Sequence, residues 1–257
     1  MRPGPLSHRC QEAGGEPTVR TQGHFPTYCA FQVPRRRPDE QPAIQELYAK
    51  LAQDPTRNDL IFDDILSALE DGRSPVVITE RKDHLDMLAG GLSKFAKNVV
   101  VLRGGMGVRQ SREASAALEE ISDTEERVLV ATGRYLGEGF DDARLDTLFL
   151  TMPISWRGTL SQYAGRLHRR HASKRDVIIY DYVDEKEPIL MKMATRREAG
   201  YQSLGYRPVR SVELALAQAP RARTQPGARC ATYRSKFSPL NLQNDTRPLP
   251  LPGRFHA

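Results

Sequence analysis

Residues 128–171 read VLVATGRYLGEGFDDARLDTLFLTMPISWRGTLSQYAGRLHRRH and carry more structural information than the rest of the chain. Two short apolar runs typical of strands enclose a Gly-x-Asp turn, and a helical pattern with the spacing Gln-x-x-Gly-Arg-x-x-Arg follows. Arg166 and Arg169 would lie at the start of this helix, after a buried strand. Two guanidiniums at that spacing can reach a polyphosphate on a neighbouring surface. The unit therefore predicts one half of a nucleotide-driven machine.

The helical pattern separates into two faces. Turns of 3.6 residues place its polar side chains on one side and its apolar ones on the other. The polar face comprises Gln162, Arg166 and Arg169, and the opposite face comprises Leu160, Ala164, Leu167 and His171. The apolar face would rest on a sheet, so the arginines would point outward from a rigid element. Gly165 would keep the backbone close to whatever lies opposite.

A solvated basic helix face is the alternative interpretation of the same residues. Thr159-x-x-Gln162 has the spacing of a capping box, in which Gln162 would only satisfy the helix N-terminus. Arg170, Lys174 and Arg175 would then only confer solubility. The combination of both paired arginines with the preceding Gly-x-Asp turn favours an anion-binding face.

From residue 75 onward, short apolar runs alternate with helical patterns. The apolar runs are 76–79, 99–102, 128–131, 147–151 and 177–182. Between them, apolar side chains recur at helical spacing, as in Leu85, Leu88 and Leu92, and a last helix is predicted over 187–201. This alternation predicts an α/β fold, with a parallel sheet of five or slightly more strands and helices on both faces.

Three regions can be separated along the chain. Residues 1–42 are rich in Pro, Gly and Arg and are predicted to be an N-terminal extension or interdomain linker. Apolar periodicity at 44–51 and 61–69 predicts two helices, so the compact domain is expected over 43–207. Residues 208–257 are rich in Pro and Arg without periodicity, and a disordered tail is expected there.

Basic charge is concentrated in the tail. The chain has a net charge of +6, and residues 221–257 hold seven Lys and Arg side chains against Asp245. Residues 41–220 contain 25 basic and 27 acidic side chains. The predicted domain is therefore not strongly basic as a whole, and a nucleic-acid site on it must be a local patch.

Cysteine usage and hydropathy exclude several classes of protein. Cys10, Cys29 and Cys230 form no Cys-x-x-Cys pair and have no nearby His at metal spacing, so neither a disulfide framework nor a metal site is expected. The first residues contain no apolar signal segment, and no apolar run is long enough to span a bilayer. We therefore expect a cytoplasmic protein with no membrane partner.

Four segments resemble motifs of superfamily 2 helicases. Residues 75–81 (PVVITER) resemble motif IV, and 102–105 (LRGG) resemble the nucleic-acid-facing strand end that follows it. Residues 131–141 resemble motif V, and 162–169 resemble motif VI. The resemblance is to the second RecA-like lobe, the helicase C-terminal domain, of DEAD/DEAH-type enzymes related to restriction-enzyme motor subunits. It implies a P-loop NTPase-like α/β fold.

The resemblance also implies roles for individual residues. Those expected to contact nucleic acid are Thr79, Arg81, Arg103, Gly104 and Thr132. Those expected to lie by the nucleotide are Gly139, Asp141, Gln162 and Gly165. Arg166 and Arg169 would be the catalytic arginines that reach the triphosphate.

The phosphate-binding loop of such enzymes is missing. The chain contains no Gly-x-x-x-x-Gly-Lys-Ser/Thr, so it has no loop to cradle phosphates and no Lys or Ser/Thr of that motif to hold Mg²⁺. We therefore expect ATP with Mg²⁺ to be bound mainly by a first RecA-like lobe, supplied in trans or in a longer parent chain. Only half of an active site is present, and the chain alone should not hydrolyse ATP.

The expected function is that of the C-terminal motor lobe of an ATP-dependent DNA helicase or translocase. Nucleic acid is the expected partner, with DNA favoured over RNA. The alternative is a non-enzymatic RecA-like module that binds nucleic acid or a partner protein, or a truncated helicase remnant. The intact pair Arg166 and Arg169 favours the motor, because a lobe that only binds needs neither.

Three further residues were open to two interpretations each. His84 and His168 have no nucleophile or carboxylate partner within sequence reach, so surface or packing roles are favoured over acid–base chemistry. Trp156, the single tryptophan, could stack on a base or plug the edge of the domain, and packing is favoured.

Overall fold

The computed structural model describes residues 22–34, 42–133, 142–154 and 157–209. Within these ranges the chain forms seven strands and six helices. The strands are β1 (Gln22–Cys29), β2 (Pro75–Thr79), β3 (Val99–Leu102), β4 (Val128–Thr132), β5 (Thr147–Leu150), β6 (Val177–Asp184) and β7 (Arg207–Pro208). The helices are α1 (Ile44–Gln53), α2 (Pro55–Glu70), α3 (Lys82–Leu92), α4 (Val108–Glu120), α5 (Arg157–Leu167) and α6 (Pro188–Ser203).

All of these strands lie in one parallel sheet. Their order across the sheet is β3-β4-β2-β5-β6-β1-β7. The predicted α/β fold is confirmed, and each of the five apolar runs forms a strand. Strand β2 lies between β4 and β5. The chain leaves β2 toward β3 in one half of the sheet, and after β4 it crosses to β5 in the other half. Such a switch point places a crevice at the carboxyl end of the strand.

Helices cover both faces of the sheet. Val77 packs in the core that α2 and α3 form on one face. Its neighbour Ile78 packs on the opposite face in the core with α4, α5 and α6. This division follows from the alternation of side chains along a strand. All residues of β2 and β4 are buried, as expected for central strands covered on both sides.

A smaller apolar cluster closes the carboxyl edge of the sheet. Leu47 and Leu51 of α1 pack there with Met152, which follows β5, and with Leu190 of α6. Phe31, after β1, joins the same cluster. The cluster thereby ties α1 to the segment that connects β5 with α5.

The predicted N-terminal extension over 1–42 is wrong for residues 22–34. Strand β1 pairs with β6 along its whole length, from Gln22 opposite Val177 to Cys29 opposite Asp184, and it also pairs with β7. The segment QGHFPTYC lacks an alternating apolar pattern, and its place in the sheet is set by backbone pairing with a strand about 150 residues away. The domain therefore begins before residue 43.

Helix α6 leads through a tight turn into β7, the last described strand. Gly205 adopts φ 82° after α6, and the amide of Tyr206 donates to the carbonyl of Tyr201 at 3.0 Å. This left-handed turn ends the helix and directs the chain into β7. The predicted tail from residue 210 onward lies outside the described residues.

Candidate functional site

The carboxyl ends of β3, β4 and β2 lie side by side. The carboxyl ends of parallel strands meet at one edge, and these three strands are neighbours in the sheet. The nucleic-acid contacts predicted from the sequence follow or end these strands, so the fold brings them to one edge. Their individual environments differ, and one of them is excluded from the surface.

Gly104 and Thr132 meet directly. The amide of Gly104 donates a hydrogen bond of 2.7 Å to the hydroxyl oxygen of Thr132. Thr132 is 8% exposed at the end of β4, and Gly105 turns the chain with φ 85°. The Thr132 hydroxyl accepts this bond, so its own proton is the group that it can donate to a phosphate oxygen. The predicted pair therefore forms one small polar site.

Arg81 and Arg103 are both held by carboxylates of α3. The Nε and Nη2 atoms of Arg81 donate to the two carboxylate oxygens of Asp83, at 3.0 and 2.7 Å. Arg103 forms an ion pair with Asp86, one turn along the helix. These arginine side chains are 29% and 40% exposed. Exposed pairs of this kind contribute roughly 0–1 kcal/mol, so a phosphate can share or displace the carboxylate.

Thr79 does not belong to this surface, and its predicted nucleic-acid contact is wrong. The residue has no exposed area, and its hydroxyl lies 2.9 Å from Nδ1 of His84. It also accepts the amide of Arg81 at 3.3 Å. Its side chain is enclosed because β2 is covered on both faces. Thr79 therefore fixes the start of α3.

His84 is a packing residue, which was the favoured interpretation. Its ring is fully buried, with Nε2 lying 3.0 Å from Oδ1 of Asn58. Burial, and then the charge of Arg57, lower the pKa of His84 to about 3. The imidazole is therefore neutral at physiological pH and serves as a hydrogen-bonding bridge between Asn58 and Thr79.

Helix α5 presents the two faces predicted for it. Leu160, Ala164 and Leu167 are buried against the sheet, whereas Gln162 and Gly165 are exposed. A Cβ placed at Gly165 would meet nothing within 4 Å. Packing within the described chain therefore does not require glycine there. Gly165 leaves room for close approach by another surface.

The arginines lie at the end of α5, and the prediction that they start the helix is wrong. Arg166 is half-buried in its last turn, and Arg169 is exposed just beyond it. The amide of Arg169 donates to the carbonyl of Arg166 at 3.4 Å, which continues the turn. The capping box is not formed either, because Thr159 lies inside a helix that begins at Arg157.

The turn that carries the arginines is fixed by two side chains. Nζ of Lys174 donates to the carbonyls of Leu167 and Arg169, at 2.7 and 2.8 Å. His168 lies 2.9 Å from the hydroxyl of Tyr206. Burial, and then the charge of Lys174, lower the pKa of His168. Lys174 thus caps the helix end instead of only conferring solubility, and a cation suits the negative end of a helix.

The loop that enters α5 is fixed by three side chains that sequence reasoning missed. Its carbonyls at Thr151, Pro153 and Ile154 each accept one hydrogen bond. The donors are Arg57 (2.6 Å), Tyr48 (2.8 Å) and Arg197 (3.0 Å), in that order. The sequence did hold a signal for Arg57 and Arg197. Both lie on the apolar stripes of their helices, where a solvated arginine is not expected.

Both of these buried arginines are paired with carboxylates on β6. Arg57 donates to Asp184 at 3.0 Å. Arg197 donates to both oxygens of Asp181, at 2.7 and 2.9 Å, and Tyr201 adds a third bond to that carboxylate at 3.0 Å. A buried charge is tolerated only when it is paired, so these contacts determine where the loop before α5 can lie.

Gly133 is the point at which three segments meet. A Cβ there would collide with Oε1 of Glu80, after β2, and with the hydroxyl of Tyr163 in α5. Burial raises the pKa of Glu80, and burial together with the nearby charge of Glu80 raises the pKa of Tyr163. The start of the predicted motif V segment therefore contacts both the edge of the sheet that is predicted to bind nucleic acid and helix α5.

Two predicted nucleotide contacts lie outside the described residues. These are Gly139 and Asp141, and Trp156 also falls outside the described ranges. The chain is described again from Asp142, whose carboxylate accepts the Nε of Arg144 at 2.8 Å. Arg144 also donates to carbonyls at the end of α4. The segment that returns from motif V is therefore anchored to α4.

In the described ranges, no group of three His, Cys, Asp or Glu side chains is arranged to hold a metal ion. None of the helices in those ranges is long and apolar enough to cross a bilayer.

Two viral proteins are similar to this chain in sequence. Transcript termination protein A18 of Fowlpox virus (strain NVSL) is 28% identical over 136 residues, which are 52% of this chain and 29% of that protein. Uncharacterized protein 108L of Invertebrate iridescent virus 3 is 35% identical over 89 residues, which are 34% of this chain and 79% of that protein. This chain therefore spans less than a third of A18 but most of 108L.

Two solved structures share the fold. T4 UvsW superposes with a TM-score of 0.56 at 17% identity, covering 74% of this chain and 40% of that one. The C-terminal domain of the DEAD-box protein Dbp5 superposes with a TM-score of 0.50 at 16% identity, covering 78% of this chain and 98% of that domain. The chain therefore shares the RecA-like α/β fold of these two structures.

No family model matches the chain. The sequence identity to 108L and the share of it that is covered nevertheless establish a family relationship. This chain belongs to the same family as uncharacterized protein 108L of Invertebrate iridescent virus 3.

Proposed function

We propose that this chain is the C-terminal motor lobe of an ATP-dependent helicase or translocase. The observation that carries the proposal is the outer face of α5, where Gln162 and Gly165 are exposed and Arg166 and Arg169 lie at its anchored end. On the same lobe, Gly104 and Thr132 form a polar site suited to a nucleic-acid phosphate. One lobe thus offers both surfaces that a motor must couple.

The residues present fit the triphosphate end of ATP. Arginine binds phosphate oxygens through its planar fork, and a second-lobe arginine stabilises charge on the transferred phosphoryl group. When bound, ATP would supply the free energy of phosphoryl transfer. The phosphate loop is not in the sequence, so we propose that a first RecA-like lobe binds most of ATP and Mg²⁺.

The connections between the two surfaces support coupling. Tyr163 lies on the helix that carries the arginines, and it packs against Gly133, the residue after Thr132. Closure of a first lobe onto α5 would press on this contact. A displacement of α5 would then reach the phosphate site through a single packed side chain.

Nucleic acid and the first lobe are the proposed partners. The similarity to a transcript termination protein favours a role on nucleic acid, although the match covers 29% of that protein. We retain DNA over RNA as the proposed substrate, and the relation to restriction-enzyme motor subunits stays a prediction. Backbone contacts of this kind bind with little sequence preference and weaken with salt.

ATP hydrolysis tests the proposal. The chain would be assayed alone and mixed with the first lobe of a related helicase, with single-stranded DNA, duplex DNA or RNA. We expect no turnover by the chain alone and nucleic-acid-stimulated turnover in the mixture. Arg166→Ala and Arg169→Ala should each lower the rate by roughly 10³-fold or more. Arg175→Ala, an exposed arginine outside α5, is the matched control.

Two outcomes would contradict the proposal. Clear turnover by the chain alone would mean that it holds a complete active site. Nucleic-acid binding by a folded chain that no first lobe activates would instead favour the non-enzymatic binding module.

A further inference from the structure

A polar cavity lies beside the Gly104–Thr132 site. It has a volume of about 360 Å³ and opens at the carboxyl ends of β2 and β5, where the switch point of the sheet places a crevice. The side chains that give it polar character are Gln45, Tyr48, Glu80, Arg81 and Thr159. Small-molecule sites occupy about 300–1,000 Å³, so this cavity is large enough for a small molecular group.

Glu80 gives the cavity a preference for groups that donate hydrogen bonds. Its carboxylate forms no hydrogen bond or ion pair within the described part of the chain, whereas Arg81 beside it is bound by Asp83. An ionised carboxylate only accepts hydrogen bonds. Glu80 therefore favours a group that presents N–H donors over one that presents a carbonyl oxygen at the same place.

Tyr48 contributes an aromatic side chain to the lining of the cavity. Its hydroxyl donates to the carbonyl of Pro153 at 2.8 Å, and this bond restrains its ring. Aromatic rings in single-strand binding sites serve as platforms for unstacked bases. The cavity thus combines a restrained aromatic ring with a carboxylate acceptor, and these are the two elements with which proteins read a base.

The cavity and the Gly104–Thr132 site are connected through Gly133. Glu80 abuts Gly133, and Gly133 follows Thr132. Strands β4, β2 and β5 are adjacent at roughly 4.8 Å each, so the cavity lies about 5–10 Å from the Thr132 hydroxyl. This separation is comparable to the reach of a nucleobase from its own phosphate.

Building on the proposed function, we propose that this cavity receives one unstacked nucleobase and that Glu80 accepts a hydrogen bond from its exocyclic amino group. Cytosine then pairs through its N4 amino group, a contact that carboxylates make with this base. Thymine and uracil present a carbonyl oxygen at the same position and are disfavoured. The strand is thus held with a bias toward amino-bearing bases.

The test compares three single-stranded pyrimidine oligonucleotides: oligo-deoxycytidine (dC12), oligo-deoxythymidine (dT12) and a methylated form of the first. Fluorescence anisotropy would measure binding of dC12 and dT12, together with a dC12 whose bases carry N4,N4-dimethyl groups and have no amino proton. We expect wild-type protein to bind dC12 roughly tenfold more tightly than the other two, the equivalent of one hydrogen bond. Glu80→Gln should bring the dC12 and dT12 affinities together, because an amide both donates and accepts.

The controls separate this preference from general effects. Glu119→Gln makes the same charge change on the exposed face of α4, and it should leave the preference for dC12 intact. Gln45→Ala, an exposed substitution in α1 that does not touch the core, should reduce the preference without unfolding the domain. Excess ATP provides a further control. ATP should displace dC12 if the cavity takes the base of a free nucleotide. It should leave dC12 bound if the cavity takes the base of a strand, as we propose.

Three results would overturn the inference. Equal affinity for dC12 and dT12 would reject the cavity's role while leaving the motor proposal intact. A preference that survives both Glu80→Gln and N4 dimethylation would place the selectivity elsewhere. Failure of every oligonucleotide to bind would reject both this inference and the nucleic-acid half of the proposed function.

Discussion

Gly133 lies where three segments of the chain are in contact. The Glu80 carboxylate and the Tyr163 hydroxyl occupy the space on which any side chain at this position would intrude. Gly165, by contrast, faces open space on the outer side of α5. The two positions therefore differ in why glycine occupies them. Gly133 is required by contacts inside the domain, and we attribute Gly165 to a surface that approaches from outside.

Substitution of the two glycines should have opposite effects on stability. Gly133→Ala forces Glu80 and the buried Tyr163 to move, and we expect a loss of about 1–3 kcal/mol in the free energy of unfolding. Gly165→Ala, inside a helix, should gain roughly 0.5–1 kcal/mol. Urea unfolding followed by circular dichroism measures both. Equal stability of the two variants would contradict the assignment.

Gly165→Ala should also separate stability from activity. If a first lobe approaches this glycine, the variant is more stable alone but hydrolyses ATP more slowly in the mixture with that lobe. Full activity of the mixture would show that no surface comes close to α5 at this point.

His84 makes the domain sensitive to acid. Its folded pKa is about 3, whereas an exposed histidine titrates near 6.5, so the unfolded state takes up a proton between these values and the folded state does not. The stability that the neutral imidazole contributes is therefore complete above pH 6.5 and is lost as the pH falls toward 3.

His84→Gln should weaken this dependence on pH. For the wild type, we expect His84 to lower the free energy of unfolding by roughly 1.4 kcal/mol per pH unit below about pH 6, whereas glutamine does not titrate. Urea unfolding at pH 7, 6 and 5 would compare the two proteins, because all other titrating groups are shared. Parallel pH profiles would mean that His84 is protonated in the folded state.

At the scale of elements, α5 is fixed at both ends by side chains from elsewhere in the fold. Arg57, Tyr48 and Arg197 hold the loop before it, and Lys174 caps its last turn. Its apolar face rests on the sheet. The helix is thus a rigid support for the two arginines that we propose as catalytic groups, because a catalytic group must be held in place to meet a developing charge.

Loss of the Lys174 cap should loosen the turn that carries Arg166 and Arg169. In Lys174→Met the carbonyls of Leu167 and Arg169 lose their donor, and we expect about 1 kcal/mol lower stability. Hydrogen–deuterium exchange should rise in peptides that cover residues 164–171 and stay unchanged in β4. Arg175→Met, an exposed neighbour, is the matched control. Equal exchange in both variants would contradict the capping role.

At the scale of the whole molecule, β1 completes the sheet from the far end of the sequence. It separates β6 from β7, and the segment that follows it buries Phe31 and Val33 in the cluster at the carboxyl edge. Without β1, strand β6 would expose an unpaired edge, which is a hazard for aggregation.

Truncation should show where the domain begins. A chain that starts at residue 42 loses β1, and we expect it to aggregate or to lose its cooperative thermal transition. A chain that starts at residue 22 keeps β1 and should retain the transition. Differential scanning calorimetry with size-exclusion chromatography would compare the two. An unchanged transition in the shorter chain would restore the boundary predicted at residue 43.

Much of the candidate site was accessible to sequence reasoning. The two faces of α5 follow from helical periodicity, and Gly104 and Thr132 were assigned together and are hydrogen-bonded. Thr79 was misassigned because a motif match gives no information on burial. The position of Arg166 in the helix was misjudged because the capping-box spacing at Thr159 suggested a later start than Arg157, where the helix begins.

The sequence by itself determined the central strands and their covering helices, because periodicity is a local property of the chain. Only the tertiary structure decided that β1 joins the sheet, that Arg57 and Arg197 hold the loop before α5, and that Glu80 opens into a cavity beside Thr132. Each of these depends on which distant segments become neighbours. Strand order and buried ion pairs are set by the packing of the whole domain, and no local pattern records them.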